Sequence, residues 1–509
     1  MAKYSSAIPN GLITLNSESQ TPLYRQLYEG LRRAILAGQL APGTRLQSTR
    51  EMAGELNVSR NTVVNAYEQL LAEGYLEGQV GSGTYVSRAL PEDLLNVKAV
   101  TRSMPRAGTK MVRLSERGKA FAAFAPLVPR APEGARPFQN GVPALDAFPF
   151  AIWSKLLARH WHEPADTLLG YGEPQGHAPL RRAIASYLGL ARAVRCVPEQ
   201  IVIVDGAQMA FDLIARVLLD PGDAAWMEEP GYPGARAALT AAGARLVNVP
   251  VDAEGLDPSA GVELESEARL VYVTPSHQFP LGVTMSLARR LALLDWASRA
   301  GAWVVEDDYD SEYRYEGRPL ASLQGLDSDG RVIYLGTFSK VMFPSLRLGY
   351  MVVPPNLIDA FVAARAVSGR HSPTIEQAAL TDFIDEGHFG RHIRRMRTLY
   401  RERQAALLGA LRQECGGLLE AEPTDAGLQL TAWLPRGLGD RELGREAAAR
   451  GVELRPMSLF YAGSPGRSGV MLGFAAFDEE RIRQGAAQLS AAVRACLSGR
   501  RRPARQGVG

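Results

Sequence analysis

The sequence has few cysteines and no long apolar run, and these absences exclude several classes of protein. Its three cysteines, at positions 196, 415 and 496, are too far apart for a metal-binding motif, so we expect reduced structural thiols and no metal site. No apolar run reaches the length needed to cross a bilayer. Residues 1–6 lack the apolar stretch of a signal peptide. The sequence therefore predicts a cytoplasmic protein.

The sequence also lacks a large excess of either charge, because 57 basic residues are balanced by 54 acidic ones, leaving a formal net charge of +3. The whole-chain charge therefore says nothing about partners. Hydrophobic residues make up 46% of the 509 residues, enough for sizeable cores in two or three domains. We predict a first domain over 12–88, a linker over 89–135, a second domain over 136–498 and a basic tail over 499–509.

The N-terminal part predicts three helices followed by a β-hairpin. Apolar residues recur at helical spacing over 22–38. Ser48, with Glu51 three residues later, predicts the N-cap of a second helix, and Ser59 predicts the N-cap of a third. Alternating apolar residues around glycines in 75–86 predict the hairpin. Together they make a winged helix-turn-helix, an α+β module that places a helix N-terminus in the major groove of DNA.

Short polar and basic side chains stand at the predicted helix starts, where they suit contacts to DNA phosphates and bases. The module resembles GntR-type regulators over 12–88, with Gln47 where that family usually has proline. The segments that carry the resemblance are 38–46, 48–51, 58–63 and 81–84. A winged helix can also serve protein contacts. We expect DNA contacts from Arg45, Ser48, Arg50, Ser59, Arg60, Thr62 and Gly81.

After residue 88 the periodicity fades in a stretch punctuated by prolines, which we interpret as the linker, with short helices near Leu94 and over 119–124. From residue 136 onwards, short apolar strands alternate with helices, which predicts an α/β domain with a mostly parallel sheet. The predicted strands are 201–204, 224–227, 270–273, 303–305, 332–334 and 349–353. Residues beyond 400 predict a smaller α+β subdomain.

Lys340 is the residue that best indicates chemistry in the second domain. It follows the hydroxyls of Thr337 and Ser339, with the carboxylate of Asp307 upstream and the guanidinium of Arg347 downstream. Pyridoxal 5'-phosphate (PLP) needs such a set. The amine binds the aldehyde, the carboxylate keeps the pyridine nitrogen protonated, and hydroxyls and arginine hold the phosphate. The sequence therefore predicts a PLP site around Lys340.

Residues 136–490 resemble the fold-type I aminotransferases, whose motifs occur here in the family order. The matching segments are 171–176, 205–208, 230–232, 274–282, 307–309, 337–340 and 345–347. The resemblance implies that Lys340 bonds to PLP, that Asp307 pairs with the pyridine nitrogen, and that Tyr309 binds the phenolic oxygen. These three are the expected catalytic residues, with Asp308 as the alternative to Asp307.

The same resemblance assigns the rest of the expected cofactor site. Its further members are Gly206, Ala207, Tyr232, His277, Thr337, Ser339, Arg347 and Tyr171. Tyr232 is expected to stack on the PLP ring, the alternative being a core aromatic. Tyr171 occupies the place where a tyrosine from the neighbouring subunit reaches the phosphate, which implies a homodimer.

Two positions depart from the aminotransferases. Phe279 stands where those enzymes usually have the asparagine that contacts the phenolic oxygen, so His277 or Gln278 would replace it. Many of these enzymes also have an arginine that binds the substrate carboxylate, where this sequence has glycine. Arg455 and Arg467 are the candidates to bind a carboxylate in its place. We therefore expect at most weak or partial transaminase activity.

A GntR-like winged helix joined to an aminotransferase-like domain resembles the MocR/GabR family of bacterial transcriptional regulators. The resemblance spans nearly the whole chain, and 277–280 and 306–312 are especially similar to that family. It implies a head-to-tail homodimer that binds promoter DNA and holds PLP on Lys340 as an internal aldimine. An amino compound would displace the lysine and change how the two heads meet DNA. The implied effector is PLP itself or an amino acid such as γ-aminobutyrate or taurine.

Two other functions are compatible with the same residues. One is an active amino acid aminotransferase with an accessory DNA-binding domain, which the missing carboxylate arginine disfavours. The other is a sensor that keeps the scaffold without the cofactor, which the set of Lys340, Asp307 and Arg347 disfavours.

Overall fold

Two units make up the chain, Met1–Val112 and Arg113–Gly509. The computed structural model describes residues 13–79, 83–88, 113–124, 134, 136–163, 165–315, 321–463 and 465–499. The division between the units falls inside the predicted linker, and the predicted domain boundaries stay predictions. Gly81, the helix predicted near Leu94, most of the predicted linker and the tail after residue 499 lie outside the described residues.

The first unit contains three helices and a two-stranded sheet in its described part. These are α1 (Leu23–Leu36), α2 (Thr49–Glu55), α3 (Arg60–Ala72), β1 (Leu76–Gln79) and β2 (Gly83–Val86). Ser48 caps α2 in the predicted capping box. Its hydroxyl accepts from the N–H of Glu51 at 3.3 Å, and its own N–H donates to the Glu51 carboxylate at 3.0 Å. Ser59 caps α3, its hydroxyl accepting a hydrogen bond from the N–H of Thr62. The predicted winged helix-turn-helix is thereby confirmed.

A core holds these three helices together. The apolar face of α1, including Leu27 and Leu31, is buried with Val63 and Leu70 of α3. Tyr67 is buried in the same core, and its hydroxyl donates a hydrogen bond to the carbonyl of Gln47 at 3.0 Å. The starts of α2 and α3 are therefore fixed relative to each other.

A central sheet organises the second unit. Its strands are β3 (Ile201–Val204), β4 (Ala224–Glu229), β5 (Arg245–Asp252), β6 (Gly255–Leu256), β7 (Leu270–Val273), β8 (Trp303–Asp308), β9 (Val332–Thr337) and β10 (Gly349–Val352). They lie in the order β3-β10-β9-β8-β7-β4-β5-β6. From β9 to β5 all neighbours are parallel, whereas β10 is antiparallel to β9 and β3, and β6 is antiparallel to β5. The sheet is mixed but mostly parallel, as predicted.

Helices cover both faces of this sheet. The helices of this part are α4 (Glu116–Phe124), α5 (Phe150–His162), α6 (Asp166–Leu169), α7 (Ala178–Arg192), α8 (Ala207–Leu218), α9 (Pro233–Ala241), α10 (Pro258–Leu264), α11 (Leu287–Ala300), α12 (Leu323–Leu326), α13 (Ile358–Gly369) and α14 (Thr374–Asp385). Alternate residues of β8 pack on opposite faces, Val305 with α8, α9 and α13 and Val304 with α11. Strand β3 is buried at every position, which explains its continuous apolar sequence.

The predicted smaller α+β subdomain follows. It contains α15 (His388–Cys415), β11 (Glu420–Ala421), β12 (Gln429–Trp433), α16 (Asp440–Ala449), β13 (Arg455–Pro456), β14 (Gly469–Gly473) and α17 (Glu479–Gly499). Its antiparallel strands lie in the order β11-β12-β14-β13. Phe389 and Ile393 of α15 pack in a core of the central sheet, whereas Leu407 and Leu411 pack in the core of the smaller subdomain. One helix of 28 residues therefore belongs to both cores.

Among the described residues, no helix combines the length and the apolar composition needed to cross a bilayer. Cys196, Cys415 and Cys496, all within the described residues, form no disulfide with one another. The same part of the chain holds no group of three or more His, Cys, Asp or Glu side chains placed to bind a metal ion.

Candidate functional site

The carboxyl end of β8 separates Asp307 from Asp308, the two candidate partners of a pyridine nitrogen. Successive side chains of a strand point to opposite faces. Asp307 accepts a hydrogen bond from the hydroxyl of Tyr272 at 2.7 Å. Asp308 lies on the other face and accepts from Nε of the buried Arg192 at 2.8 Å. The geometry therefore favours Asp307, since Asp308 is already paired with a guanidinium.

Asp307 is buried, and its charge state depends on what approaches it. Burial raises the pKa of Asp307 to about 7, while the hydrogen bond from Tyr272 and the charge of Lys340 oppose this shift. A carboxyl with this pKa is only partly ionised near neutral pH, and a cation close to it would favour the ionised form. A protonated pyridine nitrogen would supply that cation and pair with the ionised carboxylate.

Lys340, three residues beyond β9, lies near two carboxylates. Its Nζ donates a hydrogen bond to the carbonyl of Gly141 at 2.8 Å. Burial lowers the pKa of Lys340, and the charges of Asp310 and Asp307 act against that shift. A lowered pKa increases the fraction of neutral amine, which is the form that attacks an aldehyde.

The backbone directly after Lys340 is fixed from two sides. The carbonyl of Val341 accepts a hydrogen bond from Nε2 of His392 in α15 at 2.9 Å and another from the Tyr313 hydroxyl at 3.3 Å. Burial lowers the pKa of His392 to about 4, so its imidazole is neutral at physiological pH. Helix α15 thus contacts the chain next to the candidate catalytic lysine.

The predicted phosphate site lies at the N-terminus of α8. Gly206, directly before α8, has a φ of +107°, and a Cβ there would lie 3.3 Å from Nη2 of Arg347. The Arg347 guanidinium therefore lies against a helix end that has no side-chain cap. Because the first N–H groups of a helix have no intrahelical acceptor, this end and the guanidinium together suit a phosphate. At the end of β9, the Thr337 hydroxyl accepts from the N–H of Ser339 at 3.2 Å.

Tyr232, the residue before α9, is half-buried near the same groups. Its ring packs edge-to-face on Phe279, with centroids 5.3 Å apart. Burial raises the pKa of Tyr232, with the charge of Asp307 acting in the same direction and the charges of Arg455 and Arg347 against it. All three charged groups are therefore close to the Tyr232 ring, a position that suits stacking on a bound cofactor.

His277 and Gln278 have different roles in the loop after β7. Nδ1 of His277 lies 3.1 Å from the hydroxyl of Tyr309 and 3.0 Å from Oδ2 of Asp310. The amide of Gln278 instead donates to the carbonyl of Pro230 at 2.8 Å and so holds the loop itself. Of the two, His277 is therefore the one that contacts Tyr309, the residue expected to bind the phenolic oxygen.

Arg455 and Arg467, the two candidate carboxylate ligands, lie in different surroundings. Arg467 pairs with the carboxylate of Glu420 and lies over the ring of Trp433, with Cζ 5.2 Å from the centroid. Arg455, in β13, acts on the pKa of Tyr232. Of the two arginines, Arg455 is therefore the one whose charge acts on a residue of the predicted site.

Tyr171, a predicted member of the cofactor site, lies on the surface of the single chain. Its side chain is 83% exposed. The guanidinium of Arg370 lies over its ring, with Cζ 4.2 Å from the centroid.

The predicted DNA-contacting residues of the first unit gather at the starts of α2 and α3 and beside β2. Nε of Arg60 donates to the hydroxyl of Thr49 at 3.4 Å, which links the two helix starts. Arg45 forms an isolated bridge with Tyr85, and a Cβ at Gly83 would lie 2.9 Å from its Nε. The exposed members are Arg45, Ser48, Arg50, Ser59 and Arg60, while Thr62 is half-buried.

Comparisons with known proteins agree with both parts of this geometry. Residues 142–489 match the family "Aminotransferase class I and II", and residues 23–86 match "Bacterial regulatory proteins, gntR family". A relative from Rhizobium meliloti, named probable rhizopine catabolism regulatory protein MocR, is 46% identical over 96% of this chain and 97% of its own length. This chain belongs to the MocR/GabR family of transcriptional regulators.

Other relatives of this MocR/GabR chain resemble the whole of it or one part. The pyridoxine biosynthesis transcriptional regulator PdxR of Corynebacterium glutamicum is 33% identical over 94% of the chain and 98% of its own length. The solved structure of LysN, an α-aminoadipate aminotransferase from Thermus thermophilus in complex with N-(5'-phosphopyridoxyl)-L-leucine, is 33% identical, with a TM-score of 0.67. The match covers 72% of this chain and 94% of the LysN chain. The C-terminal unit therefore has the fold-type I aminotransferase fold.

The residues present fit PLP, the cofactor that this fold implies for a MocR/GabR chain. At two positions of this site a glycine leaves space that a side chain would fill. A Cβ at Gly206 would fill the space beside Arg347, and a Cβ at Gly141 would lie 2.6 Å from Nζ of Lys340. An amine, a buried carboxyl such as Asp307 and an uncapped helix end are the donor set that PLP requires.

Three residues of the site escaped the sequence analysis: Gly141, Tyr272 and Asp310. Gly141 lies far along the chain from Lys340, and Tyr272 lies in an apolar strand that looks like plain core. Asp310 had a local signal, since it is an acidic residue directly after the motif that ends at Tyr309.

Proposed function

We propose that this chain is a PLP-dependent transcriptional regulator. Its N-terminal unit binds promoter DNA, and its C-terminal unit senses PLP, an amino compound, or both. The observation that carries this proposal is the occurrence of both parts in one chain, a winged helix with exposed arginines and a complete set of Lys340, Asp307 and Arg347. When bound, PLP would supply an aldehyde that reacts with amines and a ring that withdraws electrons.

Each residue of the set has a defined task in this proposal. Lys340, whose pKa is lowered by burial, offers a neutral amine to the aldehyde. Asp307 holds the proton of the pyridine nitrogen, and Arg347 with the start of α8 holds the phosphate. Tyr309 would donate a hydrogen bond from its hydroxyl to the phenolic oxygen. Because these tasks bind and orient the cofactor, they serve sensing as well as catalysis.

Arg455 supports an amino acid as the sensed compound. Its guanidinium lies near Tyr232, and no ion pair of Arg455 occurs within the described residues. A carboxylate on the ligand would supply the missing partner. Arg467 is less suited to this task because Glu420 already pairs with it.

The exposed ring of Tyr171 supports a homodimer. Its side chain is 83% exposed in the single chain and is therefore accessible to a second chain, and tyrosine is enriched at protein interfaces. In the proposed head-to-tail dimer, Tyr171 of one subunit reaches the phosphate site of the other. Two N-terminal units would then be available for two half-sites on DNA.

Regulation requires that the ligand bind two arrangements of the protein with different affinity. Reaction of Lys340 with PLP, and its release by an amino compound, would change what the lysine contacts, including the carbonyl of Gly141. The two arrangements would then differ in the contacts of Lys340, and the ligand could bind them with different affinity.

The decisive experiment measures DNA binding and cofactor attachment on the same variants. Fluorescence anisotropy would use the full chain and DNA from upstream of its own gene, with and without PLP and a panel of amino acids. Arg60→Ala should weaken DNA binding about tenfold or more under all conditions. Lys340→Ala should bind DNA in the absence of PLP but lose any response to it. Lys155→Ala, an exposed lysine on α5, is the control and should behave as the wild type.

Borohydride reduction followed by mass spectrometry locates the attachment directly. The adduct should appear on the peptide containing Lys340 and disappear in Lys340→Ala. An adduct elsewhere, or DNA affinity that no added compound changes, would contradict the proposal.

An amino acid aminotransferase is the second candidate function. The similarity of the C-terminal unit to LysN and the position of Arg455 favour it. Rapid, stoichiometric conversion of bound PLP to pyridoxamine phosphate by an amino acid, with turnover on a 2-oxo acid, would establish this function. Slow or absent turnover together with ligand-dependent DNA binding supports the regulator.

A further inference from the structure

Two polar side chains, Asp310 and Tyr309, compete for one atom, Nδ1 of His277. The two carboxylate oxygens of Asp310 lie 3.0 and 3.1 Å from it, and the hydroxyl of Tyr309 lies 3.1 Å from it. If Nδ1 carries a proton, it donates to Asp310 and cannot accept from Tyr309. If Nδ1 is bare, Tyr309 can donate to it, and the Tyr309 proton then points away from the cofactor. The protonation state of one nitrogen thus sets the direction of the hydroxyl.

The surroundings of Asp310 favour a proton on Nδ1. Asp310 is 1% exposed, and in the described part of the chain its carboxylate meets no hydrogen-bond donor other than His277. A buried carboxylate without a donor is strongly unfavourable. Tyr309 is half-buried, and burial raises the pKa of its hydroxyl, so it keeps its proton and remains a donor.

The other imidazole nitrogen points to the same tautomer. Nε2 of His277 is buried and has no hydrogen-bond partner among the described residues. A Cβ at Gly282 would lie 3.2 Å from it. Because a buried N–H without a partner is rarer in proteins than a buried acceptor without one, Nε2 is best left without a proton. Of the two ring nitrogens of His277, Nδ1 is therefore the one that carries a proton.

Two glycines keep the imidazole in this orientation. Gly282 has a φ of +78° and Gly427 a φ of +93°. A Cβ at Gly427 would lie 2.2 Å from Cε1 of His277 and 2.8 Å from Oδ2 of Asp310. The loop that contains Gly427 belongs to the smaller subdomain, so the pair of side chains is enclosed from both subdomains.

We propose that Asp310 is a positioning residue that holds His277 with its proton on Nδ1 and thereby directs the Tyr309 hydroxyl into the cofactor site. This inference rests on the proposed function, since the acceptor of the Tyr309 proton is the phenolic oxygen of PLP. Asp310 also faces Lys340, as does Asp307, so its charge acts on the lysine as well. The experiment must therefore separate the direct charge effect from the effect through His277.

The first measurement needs no cofactor. Nitrogen NMR on the cofactor-free protein, labelled with ¹⁵N-histidine, reports which ring nitrogen of each of the seven histidines carries a proton. The His277 signals are assigned by their loss in His277→Gln. The expected result is a protonated Nδ1 and a bare Nε2 in the wild type and in Asp310→Glu, with a shift toward protonated Nε2 in Asp310→Ala. A wild-type His277 protonated on Nε2 would overturn the proposal, whatever the variants do.

The second measurement uses the absorbance band of PLP bound at Lys340, whose pH midpoint reports the proton on the linking nitrogen. In the wild-type background Tyr309→Phe should raise this midpoint by about 1 pH unit, because a hydrogen bond to the charged phenolic oxygen is lost. In the Asp310→Ala background the same change should shift it by less than about 0.3 unit. The direct charge of Asp310 acts with and without the Tyr309 hydroxyl, so it cancels from this comparison.

Equal shifts in the two backgrounds would refute the role of Asp310. Asp385→Ala, an exposed carboxylate at the end of α14, is the matched control and should leave the histidine signals and the Tyr309 effect unchanged. If no PLP band forms in any variant, the proposed function fails, and the NMR result still decides the placement of the His277 proton.

Discussion

A methyl group at position 206 tests the proposed phosphate site at the start of α8. The backbone of Gly206 has a φ of +107°, and a Cβ there would lie 3.3 Å from Nη2 and 3.4 Å from Cζ of Arg347. Gly206→Ala should therefore affect the protein in two ways. It strains the backbone, because L residues rarely adopt this conformation, and it pushes the guanidinium away from the helix end.

The two effects have different sizes and different readouts. The strained backbone should lower the free energy of unfolding by about 1–3 kcal/mol. A contact at 3.3 Å is shorter than the optimal separation of about 3.5–4.0 Å, so Arg347 must move by a few tenths of an ångström. If this costs one charge-assisted hydrogen bond to the phosphate, about 1.5–3 kcal/mol is lost. The expected Kd for PLP then rises about 10- to 100-fold.

Gly222 provides the matched control, because its φ is +99° and a Cβ there would meet no atom within 4 Å. Gly222→Ala should lower the thermal midpoint about as much as Gly206→Ala and leave PLP affinity unchanged. The assay is a spectroscopic titration of the cofactor-free variants with PLP, together with thermal unfolding. Wild-type PLP affinity in Gly206→Ala, or an equal loss of affinity in both variants, would refute the phosphate site.

Three further predictions follow from single residues. Burial raises the pKa of Asp307 to about 7 in the folded cofactor-free protein, whereas in the unfolded chain an aspartate loses its proton near pH 4. As the pH rises between these values, the folded protein holds a proton that the unfolded chain has lost, so the carboxyl lowers the stability. The thermal midpoint of Asp307→Asn, relative to the wild type, should therefore increase from pH 4 to pH 8, and a constant difference would contradict this. Ser48→Ala should destabilise the first unit by about 1 kcal/mol through loss of the capping box, measured by thermal unfolding against Ser154→Ala on α5. Arg455→Gln should abolish the effect of amino acids on DNA binding while leaving PLP binding intact, whereas Arg467→Gln should change neither, and the reverse pattern would exchange their roles.

Features that depend on neighbouring residues in the sequence could be predicted. The caps at Ser48 and Ser59 were correct because capping involves residues three positions apart. Strands such as β3 were visible because a strand buried on both faces is a continuous apolar run. The fold class followed from the alternation of such strands with helices.

Features that depend on distant partners could not be predicted. Asp307 and Asp308 are adjacent and chemically alike, and only the position of Arg192 on one face of the sheet separates them. The carbonyl of Gly141 is 199 residues from the Nζ that it binds. The choice of His277 over Gln278 likewise depends on where each side chain points once the loop is folded, which composition and spacing do not determine.

The 28-residue helix α15 limits how the smaller subdomain can move. Leu407, toward one end of the helix, is buried in that subdomain. His392, near the other end, donates a hydrogen bond at 2.9 Å to the carbonyl of Val341, the residue after Lys340. A rigid rotation of the subdomain would therefore either bend the helix between these points or break that hydrogen bond. Helix α15 therefore couples any motion of the smaller subdomain to the backbone beside Lys340.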